Sequence, residues 1–428
     1  MKKILIITYY WPPSGGPGVQ RWLKFSKYLP EFGYDPIIIT VDPQKAEYPI
    51  KDYTLEQDVR IDQTVYRTDC SGLYEYYKKL TKAQSAPYSG FVNEGPPSLK
   101  QKIARFIRGN FFLPDARRGW NKHAYRQAVK IIREQDIETV ITTGPPMSTH
   151  LVGQKLKKQF HLYWIADFRD PWTDIYYYNK MYPTPVARAI DRRYERNVLL
   201  DADQVITVSE YIKTQLAVKS PVIRPTKIKV IPNGFDAEDF TENIPKENIF
   251  TITYTGTMAA DYTIDSFVHA VKKLSASGNF KLRFIGKVDQ GIIQKFTEQL
   301  GNFVEIHPFV PHAEAIRYMK SSSVLLLIIP NIKGSKGNLT GKLFEYIGSE
   351  TPILCLGPTD GDAAGIIRDC DAGQTFDYYD EEGIFHFLAT LLSNFKPQIP
   401  VKKNEAVNQY SRKSLTQSLI QILNHHED

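Results

Sequence analysis

The sequence predicts an α/β protein of two doubly wound domains, each a parallel sheet with helices on both faces, facing one another across a cleft. Three observations predict it. Short apolar runs bounded by turn residues alternate with helix-length amphipathic stretches, the pattern of parallel α/β layers. At 428 residues the chain exceeds what one hydrophobic core comfortably serves. The alternation breaks once, at Pro232-Asn233-Gly234-Phe235-Asp236, where turn chemistry marks a linker and Pro245 follows shortly after. The predicted domains are residues 1–232 and 233–403, with a final helix over about 404–428.

Lys3–Tyr9 reads as a first strand, Trp11–Gly18 as a Gly/Pro-rich turn, Val19–Phe32 as a helix and Pro36–Val41 as a second strand. Residues 43–98 are rich in Pro, Tyr and Gly and read as loops with one or two short helices. Helices are then expected near 121–135, 148–159 and 186–200, with strands at 138–142, 162–166, Gln204–Val208 and Lys227–Ile231. Ser209 is placed to cap the helix that follows. In the second half, the expected strands are Phe250–Thr255, Phe280–Ile285, Phe303–Ile306, Val324–Ile329 and Ile353–Leu356. Helices near 262–276, 290–300, 312–320 and 341–349 separate them. Val407, Leu415, Leu419, Ile420 and Leu423 recur at helical spacing at the end of the chain.

Charge divides the chain as the linker does. Residues 1–230 carry 36 Lys/Arg against 23 Asp/Glu, whereas residues 231–428 carry 18 against 24. Opposite signs imply different partners for the two halves, and the basic half suits a phosphorylated substrate or an anionic lipid surface. No zinc-finger, RNA-recognition or basic-zipper pattern favours nucleic acid. The longest apolar run, Val324–Ile329, is far short of the roughly 20 residues that span a bilayer. Cys70, Cys355 and Cys370 make neither a disulfide framework nor a metal set, and a reduced cytoplasmic protein is expected. No His/Asp/Glu array has metal-ligand spacing, so no metal is expected.

The chemistry-bearing segments fall at predicted strand ends. Gly337-Asn338-Leu339-Thr340-Gly341 opens a helix whose first turn holds Lys342, where the peptide dipole disfavours a cation. An anion on the first-turn N–H groups would offset this, and the alternative is a surface Lys342–Glu345 ion pair. Gly15-Gly16-Pro17-Gly18 lets backbone approach a ligand, but it is not a dinucleotide fingerprint and Pro17 removes a donor. His150, in a helical first turn after a strand, is a candidate base or donor, with a structural role as the alternative. Asp167-Phe168-Arg169-Asp170-Pro171-Trp172 clusters charges between indoles, which suits sugar hydroxyls or else an Asp–Arg network pinning the loop. Gly256, Thr257, Lys287 and Phe309 lie at further strand ends, where rims commonly hold a base and ribose. Finally, Leu99–Leu113 reads as a basic amphipathic helix. Ile103, Phe106 and Ile107 lie among Lys100, Lys102, Arg105 and Arg108, and the segment suits an anionic membrane surface or a solvated basic face.

Several of these segments, in order, resemble the family-four glycosyltransferases, retaining nucleotide-sugar enzymes of the GT-B type with two Rossmann-like domains. The matching pieces are Gly15-Gly16-Pro17-Gly18, Arg169-Asp170-Pro171-Trp172, Asp201–Ser209, Val230–Asp236, Tyr254-Thr255-Gly256 and Lys342-Leu343-Phe344-Glu345-Tyr346. Arg169–Trp172 is similar to the motif of members that build bacterial surface polysaccharides. The resemblance implies a central cleft and a last helix that crosses back to the first domain. It implies donor binding by Gly16, Gly18, Gly256, Thr257, Lys287, Phe309, Asn338, Leu339, Thr340 and Glu345, with a UDP-sugar favoured over a GDP-sugar and no further cofactor. Lys342, Glu345, His150 and Asp170 are the implied catalytic residues, and Arg169, Asp167 and Trp172 the implied acceptor-binding ones. The acceptor would be a glycan or lipid-linked glycan, and the location cytoplasmic or peripheral on the inner face of the membrane. Gly337 stands where the family has its first motif glutamate, and Thr257 and its neighbours supply no cation. Those departures motivate a non-catalytic nucleotide-sugar-binding subunit as an alternative, and a nucleotide-sugar epimerase is a second one.

Overall fold

The computed structural model describes residues 1–46, 48–70, 97–397 and 404–424. The chain forms two compact units, residues 1–232 with 416–428, and residues 233–415. In the first, strands β1 (Lys2–Ile7), β2 (Tyr34–Val41), β3 (Val65–Thr68), β4 (Thr139–Gly144), β5 (Tyr163–Phe168), β6 (Gln204–Thr207) and β7 (Ile228–Val230) form one sheet. Its order is β3-β2-β1-β4-β5-β6-β7, and every pairing is parallel. Among the described residues, the helices of this unit ahead of the final one are α1 (Pro17–Tyr28), α2 (Leu99–Phe111), α3 (Asn121–Gln135), α4 (Thr149–Phe160), α5 (Pro185–Asp201) and α6 (Glu210–Ala217). Ser209 caps α6 as its position predicts, its hydroxyl accepting from Ile212 N–H at 3.2 Å.

The second unit repeats the scheme with β8 (Phe250–Thr255), β9 (Phe280–Ile285), β10 (Val304–His307), β11 (Val324–Ile328), β12 (Ile353–Leu356) and β13 (Gly373–Phe376). They are ordered β10-β9-β8-β11-β12-β13, again all parallel. Between them run α7 (Asp265–Leu274), α8 (Gln290–Leu300), α9 (His312–Ser321), α10 (Gly341–Gly348), α11 (Asp362–Asp369) and α12 (Glu381–Ser393). The end of the chain is a 3-10 turn, Glu405–Tyr410, followed by α13 (Arg412–Asn424), where a single helix from about 404 is expected from the sequence. Ser411 separates the two, its hydroxyl accepting from Ser414 N–H at 3.2 Å.

Parallel strands covered on both faces need continuous apolar runs, and that is why most of them are legible in the sequence. All five residues of β11 are buried, as are all six of β8. The strands that sequence patterning misses, β3 and β13, are four-residue sheet edges with mixed burial. An edge strand buries less and needs no apolar run, so periodicity marks it unevenly: the other two edges, β7 and β10, are anticipated from the sequence and these two are not. The expected loops and short helices over 43–98 lie partly at 71–96, outside the described residues.

A buried ion pair organises the first unit. Asp167, near the end of β5, and Arg21, on α1, are both fully buried and meet at 3.1 Å. Trp22 Nε1 and Thr143 Oγ1 also donate to Asp167 Oδ2, at 2.6 and 2.9 Å. Arg21 Nη1 donates onward to the carbonyls of Ile231 (2.8 Å) and Pro232 (3.2 Å), where the chain leaves the unit. The network joins α1, β4, β5 and the end of the unit. It also corrects the acceptor role expected for Asp167: its carboxylate is enclosed and committed to internal donors. The Asp–Arg network anticipated in this segment exists, but its arginine is Arg21 rather than Arg169.

Removing one partner leaves the other charge buried and uncompensated. Arg21→Met and Asp167→Leu are each expected to destabilise the protein by about 3–5 kcal/mol, and the double variant by less than the sum. Urea unfolding of the four proteins measures this, and additive losses would refute the coupling.

Candidate functional site

Ligands of open α/β sheets collect where the strand order reverses, at the carboxyl ends of the strands. In the second unit this point lies between β8 and β11. The turn after β8 holds Gly256, at φ 96°, and a Cβ there would stand 3.4 Å from Lys342 Cδ. The segment after β11 leads through Asn338 and Leu339 to Thr340, the N-cap of α10. Tyr346 fastens that helix to the end of β8, its hydroxyl accepting from Thr255 N–H at 2.9 Å. Lys342 Nζ donates to the hydroxyl of Tyr254 and lies 4.1 Å from that ring's centroid. The ion pair to Glu345 is thus replaced by a tyrosine contact.

The electrostatics of this corner are unusual. Burial lowers the Lys342 ammonium pKa to about 7, against the opposing pull of Glu345. Thr340 makes no side-chain cap, and its hydroxyl oxygen is buried without a hydrogen bond. A cation held at a helix N-terminus beside an unused hydroxyl is chemically suited to a polyanion. One turn along, the Glu345 side chain is 27% exposed, with Oε1 4.0 Å from His312 Nδ1. Burial raises its carboxyl pKa, against the favourable His312 and with the adverse Asp239. Asp239 in turn sits 3.3 Å from His312 Nε2. Thr257 and Lys287 are exposed at the neighbouring strand ends, and Phe309 is 86% exposed. Gly337 is buried in the 3-10 turn Ser335–Gly337.

In the first unit the order reverses between β1 and β4, and a cavity of about 460 Å³ lies among the loops there. Its walls include Gly16, Gly18, Met147, Arg169, Asp170 and Trp172. Gly16 and Gly18, expected among the donor contacts, therefore share a site with the residues expected to meet the acceptor. A Cβ at position 18 would lie 2.1 Å from Arg169 Nη1, so a larger residue there would have to displace that guanidinium. Arg169 is held by the carbonyls of Pro145 (2.8 Å) and Gly144 (3.2 Å). Burial raises the Asp170 carboxyl pKa, and Arg169 opposes that rise. Asp191 of α5 also lines the cavity; it accepts from the Tyr178 hydroxyl at 2.9 Å while its Oδ1 is buried without a partner. Burial lifts its carboxyl pKa to about 7, so near neutrality it both donates and accepts. Guanidinium, carboxyl and aromatic groups around one concave volume suit a polyhydroxylated ligand.

His150 does not reach either site. It is fully buried, with Nδ1 2.9 Å from Thr142 Oγ1 and its ring stacked 4.6 Å from Phe168. Its expected catalytic role is corrected on that ground: the imidazole is walled in. Sequence reasoning missed Tyr254 and Tyr346 as partners of the α10 site, although both lie inside segments it singled out. It gave no signal for Asp191 or His312, which sit in ordinary helical patterns.

Burial drives the His150 pKa down to about 3, with Asp167 raising it and Arg169 lowering it further. The unfolded chain takes up this proton near pH 6.5 and the folded one does not, so stability present above pH 6.5 is lost on acidification. Between pH 7 and pH 5 the wild type should lose about 2 kcal/mol more than His150→Gln. Urea titrations at the two pH values test this; equal losses would place the imidazole in contact with water.

Similarity to known proteins agrees with this geometry. Residues 80–239 match the model of Glycosyltransferase Family 4. No curated protein matches the sequence. Among solved structures, a sucrose-phosphate synthase from Thermosynechococcus elongatus superposes with TM-score 0.61 at 15% identity, covering 99% of each chain. Anabaena Alr3699/HepE in complex with UDP gives 0.57 at 12% identity, covering 99% of this chain and 100% of that one. A UDP-GlcNAc 2-epimerase from Methanocaldococcus jannaschii gives 0.50 at 12%, also covering 99% and 100%. At such identities the likeness is one of fold. The chain has the two-sheet GT-B fold, and its residues 80–239 are similar to Glycosyltransferase Family 4.

Proposed function

We propose that this protein is a retaining glycosyltransferase that moves a sugar from a nucleotide diphosphate sugar, a UDP-sugar in preference to a GDP-sugar, to a glycan or lipid-linked acceptor in surface-polysaccharide synthesis. One observation carries the reading: the half-buried Lys342 ammonium at the N-terminus of α10, beside Gly256 and the unused Thr340 hydroxyl, with Glu345 one turn on. The donor diphosphate lies against Lys342 and Thr340, and a ribose hydroxyl donates to Glu345. UDP, bound by the fold relative HepE, supports the choice of base. The Arg169–Trp172 motif supports a polysaccharide product, and the cavity of the first unit takes the acceptor.

Chemistry follows from charge placement. As the bond between the anomeric carbon and the diphosphate oxygen breaks, negative charge grows on the leaving phosphate, where Lys342 and the helix dipole stabilise it. The acceptor oxygen forms the new bond on the same face, and its proton passes to the departing phosphate oxygen. Retention then requires no enzymatic nucleophile. The protein contributes positioning and electrostatics.

The Lys342 ammonium must be charged to meet the diphosphate, and its pKa of about 7 couples binding to proton uptake. Affinity for UDP should therefore fall by up to about tenfold per pH unit above pH 7, a range in which the ligand's own phosphate is already ionised. Calorimetric titrations from pH 6.5 to 9 should show this slope, and Lys342→Met should bind weakly with a flat profile. A sloping profile in that variant would remove Lys342 from the site. Product stereochemistry tests the reaction itself. Proton NMR of the transferred sugar should show the donor's anomeric configuration, and Glu345→Ala should lose at least about tenfold in kcat/KM. An inverted product, donor isomerised without an acceptor, or equal turnover in the variant would each overturn the assignment.

A further inference from the structure

We infer that one face of the first unit, formed by α2 and the start of α5, docks on an anionic lipid bilayer. Helix α2 is firmly built. Ser98 and Gln101 form a capping box, and Arg105 and Gly109 are buried against the domain. The opposite side carries Leu99, Ile103 and Phe106, at 75%, 53% and 41% exposure and at i, i+4 and i+7 spacing. Three large apolar side chains are turned outward on a helix that has a domain to pack against.

The row continues across a junction. Asn110, one turn beyond Phe106, bonds the chain ahead of α5 from both ends of its amide: it donates to Tyr182 O at 3.0 Å and accepts from Thr184 N–H at 2.8 Å. Gly109 permits the close approach, since a Cβ there would lie 2.3 Å from Met181 O. Beyond that joint, Tyr182, Val186 and Ile190 are exposed in their turn, at 41%, 69% and 39%. Single exposed apolar residues are ordinary. Six on two segments joined at one turn make a patch, and a patch of this kind marks an interaction surface.

Charge selects the partner. Lys100 and Lys102 flank the apolar row on α2, and Arg192, Arg193 and Arg196 are exposed on α5. Helix α2 contains no carboxylate, and those of α5 before its last residue, Asp191 and Glu195, are buried. Among the described residues, the exposed charge that these two helices place beside the patch is therefore cationic. Apolar side chains that enter the headgroup region, ringed by cations that meet lipid phosphates, fit an anionic membrane surface better than they fit an apolar protein groove. The inner sides of the same segments supply Arg108, Met181 and Asp191 to the cavity of the first unit. Docking would set that cavity against the lipid–water boundary, which, if the proposed transferase reading holds, makes a membrane-anchored acceptor its natural substrate.

Co-sedimentation with phosphatidylglycerol-containing and pure phosphatidylcholine vesicles tests the docking. The wild type should bind the anionic vesicles at low salt, release at high salt, and bind the neutral ones at least about tenfold more weakly. Ile103→Glu/Phe106→Glu and Val186→Glu, all at exposed positions, should lose that binding by a similar factor, whereas Tyr379→Glu, on the other unit, should not. Unfolding midpoints of the variants check that they are folded. Absence of wild-type binding, or unchanged binding by the variants, overturns the inference. So does a concentration-dependent dimer that the variants abolish, which would assign the patch to a second copy of the chain. A UDP-induced thermal shift on the same samples separates the two proposals. Vesicle binding without the shift defeats the transferase reading alone, and the shift without vesicle binding defeats the docking alone.

Discussion

The first unit depends on a carboxylate that never meets substrate. Asp167 gathers donors from α1 and β4, and its partner Arg21 grips the last carbonyls before the linker. A buried ion pair is costly to desolvate and gains little in net stability over apolar packing. Its value here is registry. It fixes how α1 lies across the ends of β4 and β5, and thereby where the Gly16–Gly18 turn stands relative to Arg169. A Cβ at position 18 would push on the Arg169 guanidinium, so a small shift of α1 would likewise deform the cavity wall.

The α10 corner of the second unit shows a different economy. Tyrosines do the fastening: Tyr346 takes the backbone N–H of Thr255, and Tyr254 takes the Lys342 ammonium. Phenols can anchor a helix and a cation without introducing countercharge. The ammonium stays partly desolvated and its proton loosely held, ready to be fixed by an arriving anion. A carboxylate in place of Tyr254 would pair with the ammonium and compete with the proposed diphosphate. Glu345 stands apart from this, facing His312 and Asp239, which leaves the two roles of the helix, charge and hydroxyl recognition, on separate side chains.

Strand and helix positions were largely legible because parallel strands must be apolar throughout, and the helices between them must be amphipathic. Two of the four edge strands, β3 and β13, were not, since an edge is only half covered and need not carry an apolar run. Among the candidate site residues, Lys342, Glu345, Thr340 and Gly256 could be read from local rules: a cation where a dipole opposes it, and a glycine where a strand ends. Asp167 and His150 misled for one reason. Charged or titratable residues at strand ends have the same appearance in a sequence whether they point into solvent or into the core. Asp191 was invisible for the converse reason, as one acidic residue in a helix of many charges.

By itself the sequence determined the two-sheet architecture, the linker, the polarity of charge between the halves and the chemical character of the α10 segment. These follow from periodicity, turn chemistry and composition, which are local properties. Tertiary structure decided which arginine neutralises Asp167, which tyrosines hold Lys342, that the Gly16–Gly18 turn and the Arg169–Trp172 loop share one cavity, and that the apolar row of α2 faces outward. Each of these depends on residues far apart in the chain, such as Arg21 and Asp167, separated by 146 positions. Burial and partnership arise from how elements pack, and packing is the term that local pattern leaves open.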